Sequence, residues 1–338
     1  MKQIRYIACV IIISMLFCSG CSGDVSTSGD SETGDSTDLS AIVSGDDDLL
    51  KESEGATLCG FQSVPEEGFT YSGSDLEVPL YVGTMDNSED VEVAAILFLN
   101  GEVQPYSYEL NGEVSETKMA HYFTLGPDET LNFTAFVSPV SGEAGDVLGM
   151  QFAVVFKPDY LPDQEGNTSF GNCGRINSTV CLPVNMKVSG TNETKAYTAE
   201  TTVTDIPEEV MAMLDGMVID DADNPLDYSP YLKIDAEDST NCLCAENGKL
   251  NLTVQMYGGK EITSKVTFFV NNEPVKVEDC DYVEVETTSD KMTVFDVCID
   301  VSEYDELCSF YAVAAASGDD YLIQDDAVQS ERCLLINK

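Results

Sequence analysis

Two stretches of this chain are apolar at nearly every position: "MQFAVVF" at residues 150–156 and "FYAVAAA" at 310–316. A strand with one face in water alternates apolar and polar residues. Runs like these therefore predict strands buried on both faces, central in a sandwich. Shorter strand-like segments surround them. Val91 to Leu99 is rich in Val, Ile, Leu and Phe and ends at Asn100-Gly101, a pair suited to a two-residue hairpin. Val266 to Val270 runs into Asn271-Asn272, a weaker form of the same turn. "FTLGPDETLNFTAFVSPV" (123–140) predicts further short strands, and "YVEVETTSDKMTVFDVCIDV" (282–301) a hairpin turning near Ser289-Asp290. Short strands with turn signals about every ten residues predict an all-β chain of sandwich type.

The pattern is written twice. "ILFLNGEVQPY" (96–106) aligns with "TFFVNNEPVKV" (267–277), "DVLGMQFAVV" (146–155) with "DELCSFYAVA" (305–314), and "VCLPVN" (180–185) with "RCLLIN" (332–337). Three blocks recurring in one order, with length differences between them, predict two tandem copies of one fold. Between the copies "TDIPEEVMAMLDG" (204–216) predicts a short helix. Asp205 is placed to cap it, Glu208 follows three residues on, and Pro207 falls in the first turn. Its Met211, Met213 and Leu214 are available to pack on one domain. The expected division is a first sandwich over 57–204, a helical and looped linker over 205–240, and a second sandwich over 241–338.

"VTFFVNNEPVKV" resembles the strand–turn–strand of bacterial immunoglobulin-like domains of cell-surface proteins. The resemblance covers about a dozen residues in each copy. It implies two immunoglobulin-like β-sandwiches acting as spacers or binding modules, and no chemistry.

The N-terminus reads "MKQIRYIACVIIISMLFCSGCSGD". Lys2 and Arg5 precede an apolar run, Tyr6 to Phe17, of signal-peptide length and too short to span a bilayer as a helix. The segment closes in "CSGC", which resembles the lipobox of bacterial lipoproteins. Ser19 and Gly20 fit that pattern, whereas Cys18 stands where the family usually carries an aliphatic residue. The resemblance implies a signal peptide over 1–20 and diacylation of Cys21. The chain would then sit on the extracytoplasmic face of a cell membrane, palmitate or a similar acyl chain holding it there. The alternative is an ordinary signal peptide cut after Gly20, with Cys21 a free thiol.

Residues 21–56 are mostly Ser, Gly, Thr, Asp and Glu after the cysteine. Such a segment buries too little apolar surface to offset its ordering entropy and predicts a disordered acidic tether, with a root-mean-square reach of about 30–35 Å. The whole chain carries 61 acidic against 16 basic residues, a formal net charge of −45. That field repels nucleic acid and anionic headgroups and attracts cations, so nucleic acid is excluded as a partner. Calcium is the cation the charge suggests. "IDDADNPLD" sets Asp220, Asp221, Asp223 and Asp227 within eight residues, as a calcium loop opens. Counted from Asp221, the sixth and twelfth positions hold Leu226 and Leu232, so this is not an EF-hand, and a calcium clip is the form left open.

Nine cysteines follow Cys21, a count that predicts disulfides in an exported chain and leaves one thiol over. The expected hairpin would set Cys280 opposite Cys298, and the short loop "GRINSTV" would let Cys173 meet Cys181. A third possibility follows from the repeat: Cys181 and Cys333 each meeting a cysteine near the start of its copy, Cys59 in one and Cys242 or Cys244 in the other.

Catalytic chemistry has little material. His121 is the sole histidine, which excludes the H-E-x-x-H zinc pattern. The chain has no G-x-S-x-G elbow and no phosphate-binding glycine motif. Tyr106 and Tyr108 alternate onto one face, where they serve either as a sugar-stacking platform or as strand packing. The chain is thus expected to be a non-enzymatic surface lipoprotein that works in binding, adhesion or scaffolding, with a protein or glycan ligand. The competing readings are a solute-binding lipoprotein of a transporter and a lipid-anchored hydrolase.

Overall fold

Strand pairing divides the chain into two copies of one pattern. The computed structural model describes residues 56–338, apart from 86, 164–167, 192, 216–229, 236–241, 259–260 and 289. These residues all belong to one compact unit, Asp47–Lys338. The first copy comprises β1 (Ala56–Phe61), β2 (Phe69–Tyr71), β3 (Leu76–Met85), β4 (Val91–Leu99), β5 (Glu102–Val103), β6 (Tyr106–Leu110), β7 (Glu113–Val114), β8 (Ala120–Leu125), β9 (Thr130–Val137), β10 (Val147–Phe156), β11 (Ile176–Ser178) and β12 (Leu182–Met186). The second comprises β13 (Ala196–Tyr197), β14 (Thr201–Asp205), the helix α1 (Glu208–Asp215), β15 (Tyr231–Asp235), β16 (Cys242–Ala245), β17 (Lys249–Tyr257), β18 (Thr263–Val270), β19 (Glu273–Val275), β20 (Tyr282–Glu286), β21 (Lys291–Asp300), β22 (Leu307–Ala316), β23 (Val328–Gln329) and β24 (Cys333–Asn337).

In the first copy one sheet runs β1-β3-β9-β6-β7 and the other β2-β12-β10-β4, with β8 also on β4. Among β1, β3, β4, β6, β9, β10 and β12, the first, second, fifth and fourth strands thus face the seventh, sixth and third. That is the constant-type immunoglobulin arrangement. The second copy repeats it with β16-β24-β22-β18-β20 in one sheet and β15-β17-β21 in the other. Its fourth-strand position, beside β21, is taken by β14, which comes from upstream of the copy's first strand. The chain is therefore two tandem immunoglobulin-like β-sandwiches.

Turn chemistry sets the two matching hairpins. Asn100 and Gly101 hold φ at 54° and 75°, Asn271 and Asn272 at 49° and 67°, the positive values that a tight hairpin with right-twisted strands requires. The repeat itself is offset from its sequence match. Leu99 lies opposite Met150, and Met150 opposite Leu182. Val270 lies opposite Phe310, and Phe310 opposite Cys333. Met150 is therefore equivalent to Phe310 and Leu182 to Cys333, each one residue away from the alignment of the second and third blocks. In a strand that single residue exchanges the two faces.

Two expected boundaries also differ. β14 and β15 are edge strands of the second sandwich, and β13 pairs with β20. The division expected at 204/205 therefore runs through β14, and the linker expected over 205–240 contains β15, both paired with strands of the second copy. Helix α1 forms within the expected segment, and Ile206, Val210 and Met211 pack on Tyr257 and Met292 of β17 and β21. The side chains of Met213 and Leu214 lie outside the described residues. The hairpin expected over 282–301 does not form: β20 pairs with β18, whereas β21 pairs with β17 in the opposite sheet. Alternation along each strand is the same whether the chain turns back or crosses to the other sheet, so the pattern is silent on the difference.

Each sandwich has its own core, one around Leu80, Phe133 and Phe152, the other around Phe268, Phe295 and Phe310. A third core lies between them. Ala94, Ile96 and Phe98 of β4, with Ala153 and Val155 of β10, pack on Phe269 of β18 and Tyr311, Val313 and Ala315 of β22. The rings of Phe269 and Tyr311 stack at 4.9 Å and 5°. This seam is why "MQFAVVF" and "FYAVAAA" are apolar on both faces: one face fills a sandwich and the other fills the seam. Phe98 and Phe269 are equivalent residues on its two sides, each at most 1 % exposed. Replacing either by Ala leaves an unfilled volume, and we expect a loss of about 3–5 kcal/mol in urea unfolding followed by circular dichroism. Phe61→Ala, at a half-buried ring on the margin of the first core, should cost less.

Candidate functional site

The seam carries polar groups at its margins, and they meet in reciprocal fashion. Asn100, in the first copy's hairpin turn, accepts a hydrogen bond at Oδ1 from the Gly318 N–H, 2.8 Å away. Asn272, in the second copy's turn, donates from Nδ2 to the carbonyl of Pro158 at 3.0 Å. Gly318 and Pro158 each stand two residues past the end of an equivalent central strand. Contacts of this kind, turn to strand end in both directions, mark a two-fold-like pairing of the copies. Gly149 of β10 completes the fit, because a Cβ there would lie 2.6 Å from Cγ of Tyr321 in the 3₁₀ turn Gly318–Leu322.

On one flank the ammonium of Lys265 bonds the carboxylate of Glu102 across the seam, with side-chain exposures of 6 % and 3 %. Lys265 Nζ also sits 4.7 Å from the Tyr282 ring centroid. Burial, then the Glu102 carboxylate, raises the Tyr282 hydroxyl well above the usual phenol range. The other flank is built on Arg332, just before β24 and 5 % exposed. Its Nη2 donates to the carbonyl of Pro158 at 3.0 Å, Asn272 Oδ1 at 2.6 Å and Ser309 Oγ at 2.8 Å. The guanidinium carbon lies 5.0 Å from the Tyr311 ring centroid and 5.4 Å from that of Phe170. Burial pulls the Arg332 pKa down from its ordinary value. Gln329 clamps the same flank: its Oε1 accepts from Ile176 N–H at 2.9 Å, and its Nε2 donates to Gly174 O at 2.9 Å.

A cavity of about 300 Å³ opens on this second flank. Ser169, Phe170, Gly174 and Arg175 wall it from the first copy, and Gln329 to Arg332 from the second. Gly174 has φ +75°, and a Cβ there would stand 2.0 Å from Arg332 Nη1, so the backbone must be bare for the guanidinium to lie against it. Sequence reasoning singled out neither Arg332 nor Lys265.

The residues it did single out fall elsewhere. His121 is on β8, buried between the rings of Tyr106 and Tyr108, with Nε2 2.7 Å from the Tyr106 carbonyl oxygen. Tyr106 is fully buried and donates its hydroxyl to Ala95 O at 2.9 Å. Tyr108 packs on the same core, so strand packing accounts for both tyrosines. No disulfide joins any two of the nine cysteines from Cys59 to Cys333. Without the 282–301 hairpin, Cys298 lies opposite Asn251 rather than Cys280. Cys173 stands in the electrostatic neighbourhood of Arg332, and Cys181 in that of Asp325 and Asp326. Cys59 Sγ lies 3.3 Å from Asn177 O, and Cys242 is opposite Leu334, next to Cys333. Burial pushes the Cys59, Cys181 and Cys333 thiols up to about 12. Cys21, the tether, and Asp220, Asp221, Asp223 and Asp227 lie outside the described residues. Among the described residues there is no cluster of three or more metal-ligating side chains, and no helix long and apolar enough to cross a membrane.

No family model matches this chain, and no curated protein matches it. Among solved structures it is similar to fibronectin(III)-like modules of CbhA from Clostridium thermocellum, at 13 % identity over 83 % of this chain and 93 % of that one, with a TM-score of 0.19. It is also similar to the complex of chaperone and tip adhesion subunit from Acinetobacter baumannii Csu pili (10 % identity, 81 % and 98 % covered, TM-score 0.20). A third likeness is to the major pilin GBS80 of Streptococcus agalactiae (6 % identity, 83 % and 91 % covered, TM-score 0.20). At such scores these likenesses carry no argument, and the fold rests on the strand pairing.

Two predictions follow from the buried polar groups. Lys265→Met strands the Glu102 carboxylate and should cost about 3–5 kcal/mol in chemical denaturation, whereas Lys265→Met with Glu102→Leu should recover most of that loss. The second concerns pH. Burial lowers the His121 pKa below its ordinary 6.5, so the unfolded chain takes up the proton first. Its contribution is intact above the unfolded value and is lost as pH falls through the folded one. Between pH 7.5 and 5 the wild-type chain should therefore lose more stability than His121→Asn.

Proposed function

We propose that this chain is a non-enzymatic surface module of a bacterial envelope, held to the membrane by acyl chains on Cys21 and raised from it on the acidic segment 22–56. Its work is binding, adhesion or scaffolding, with a protein or glycan as the partner. The observation that carries the reading is the seam. It joins two immunoglobulin-like sandwiches through the outer faces of their central sheets, which suits a stiff block that presents loops and outer sheets to a partner. The same seam argues against a transporter's solute-binding lipoprotein, because lobes that close on a solute need a yielding joint. The position of His121 argues against a hydrolase: its ring is wedged between two tyrosines and its Nε2 is engaged by a backbone carbonyl.

The anchor is tested by expressing the full chain in a lipoprotein-processing bacterium fed a labelled fatty acid. The wild-type chain should carry the label and enter the detergent phase on extraction. Cys21→Ser should lose the label and stay in the aqueous phase. Equal partitioning of the two would remove the anchor from the account. Crosslinking in intact cells tests the module's work: wall polymer or surface proteins as neighbours agree with the proposal, and a permease contradicts it.

A further inference from the structure

The first sandwich has an outer sheet face on which no described helix or strand packs. The sheet of β1, β3, β9 and β6 turns one side to its own core, through residues such as Leu80, Phe133 and Tyr106. The alternate residues face the other way: Pro79 and Tyr81 on β3, and Asn132, Thr134 and Phe136 on β9. The seam does not use this sheet, because it is built on β4 and β10. In the second sandwich the corresponding face holds Tyr257, Met292 and Val294, and helix α1 lies over them.

Two half-buried rings mark the uncovered face. Tyr81 leans across β1, where Gly60 stands opposite it. A Cβ on Gly60 would fall 2.6 Å from Cζ of the tyrosine, so the bare backbone is what lets the ring lie down. Phe136 stands opposite Glu77, four residues along β3 from Tyr81 and one strand over. Strand geometry puts the backbones of Tyr81 and Phe136 about 14 Å apart, with Pro79 and Thr134 between them. Gln62 reaches over β3, donating from Nε2 to the carbonyls of Leu80 and Phe133. The side chains of Asn132, Thr134 and Ser107 lie at or near the surface and form no hydrogen bond with any described residue.

These groups have a common complement. Amides and hydroxyls both donate and accept, as a sugar hydroxyl does, and an aromatic ring takes an apolar C–H face. A row of rings with such groups alongside suits a sugar polymer, which has C–H faces and hydroxyl rims. Charge narrows the choice. The four strands contain no Lys or Arg and two of the chain's 61 acidic residues, Glu77 and Glu109. Those carboxylates accept from hydroxyls and repel anionic polymers. A basic protein would be drawn instead to the carboxylates that crowd the rest of the chain.

We infer that this face binds a neutral polysaccharide, with sugar rings on Tyr81 and Phe136 and hydroxyls bonded by Asn132, Thr134 and Ser107. The inference rests on the surface-module reading and chooses a glycan over a protein as the partner. The stacking role considered for Tyr106 and Tyr108, which belong to the core, passes to Tyr81 on the opposite side of the same sheet.

The test is affinity electrophoresis of the full chain, in a sugar-free neutral detergent, through gels each holding one polysaccharide. Dextran, mannan, galactomannan and laminarin are the neutral probes, and polygalacturonate is the anionic one. At least one neutral probe should retard the chain, and polygalacturonate should not. Tyr81→Ala should weaken that binding at least about tenfold, whereas Tyr81→Phe should keep it. Gly60→Ala, which lifts the ring without removing it, should also weaken binding. Hydroxyl-radical footprinting of the wild-type chain with the retarding probe should protect Tyr81 and Phe136. Retardation by none of the neutral probes would overturn the inference, as would unchanged binding by Tyr81→Ala or protection confined to other residues. Such a failure leaves the fatty-acid label and the crosslinked neighbours as they were, whereas loss of the label would strike the anchor and leave the retardation unchanged.

Discussion

The structure depends on burying two outer sheet faces against each other. An immunoglobulin-like sandwich ordinarily buries the inner faces of its sheets and leaves the outer faces wet. Here β4 and β10 of one copy, and β18 and β22 of the other, are apolar on both sides, and the second side of each pair closes on the other copy. Ile96, Phe98, Phe269, Tyr311 and Val313 are each at most 1 % exposed. In an isolated sandwich this surface would be a large apolar patch of the kind that drives association. Covering it within one chain turns a tandem repeat into a unit with three cores.

Polar groups at the margins give the seam its register. Apolar faces of Ala, Val and Phe permit sliding and rotation, whereas Asn100 on Gly318, Asn272 on Pro158, and Lys265 on Glu102 each require one alignment. A buried ion pair is a poor source of net stability because both charges lose their hydration, but its geometry is demanding. The two flanks then diverge. One has a matched pair, Lys265 with Glu102. The other has a cation, Arg332, with aromatic rings and neutral acceptors about it and an open cavity beside it. Reciprocal contacts make the copies alike, and these flanks make the assembly one-sided.

Much of this was legible in the residues. Asn100-Gly101 and Asn271-Asn272 announced the hairpins, and the recurrence of three blocks announced two copies. The doubly apolar runs announced central strands, but a run buried on both faces does not say what covers the second one. Block alignment missed by one residue because Ala and Val fill both faces of these strands, so neighbouring registers score alike. The placement of β14 was hidden for a different reason. Its side chains are largely exposed, and an edge strand drawn from upstream looks like the end of the preceding domain. Lys265 and Arg332 could have been found by asking why a lysine stands in "SKVTFFV" and one of three arginines at the entry to an apolar last strand. Charges in such places need partners, and the partners are distant in sequence.

The central claim is that two sandwiches fold and open as one unit, because each supplies half of a shared core. Native-state hydrogen exchange at rising sub-denaturing urea tests it most directly, since it reads the opening free energy of each strand separately. The account predicts that amides of β4, β10, β18 and β22 converge on one common opening free energy with one common dependence on urea. Two separate limits, with β4 and β10 converging at one value and β18 and β22 at another, would contradict it.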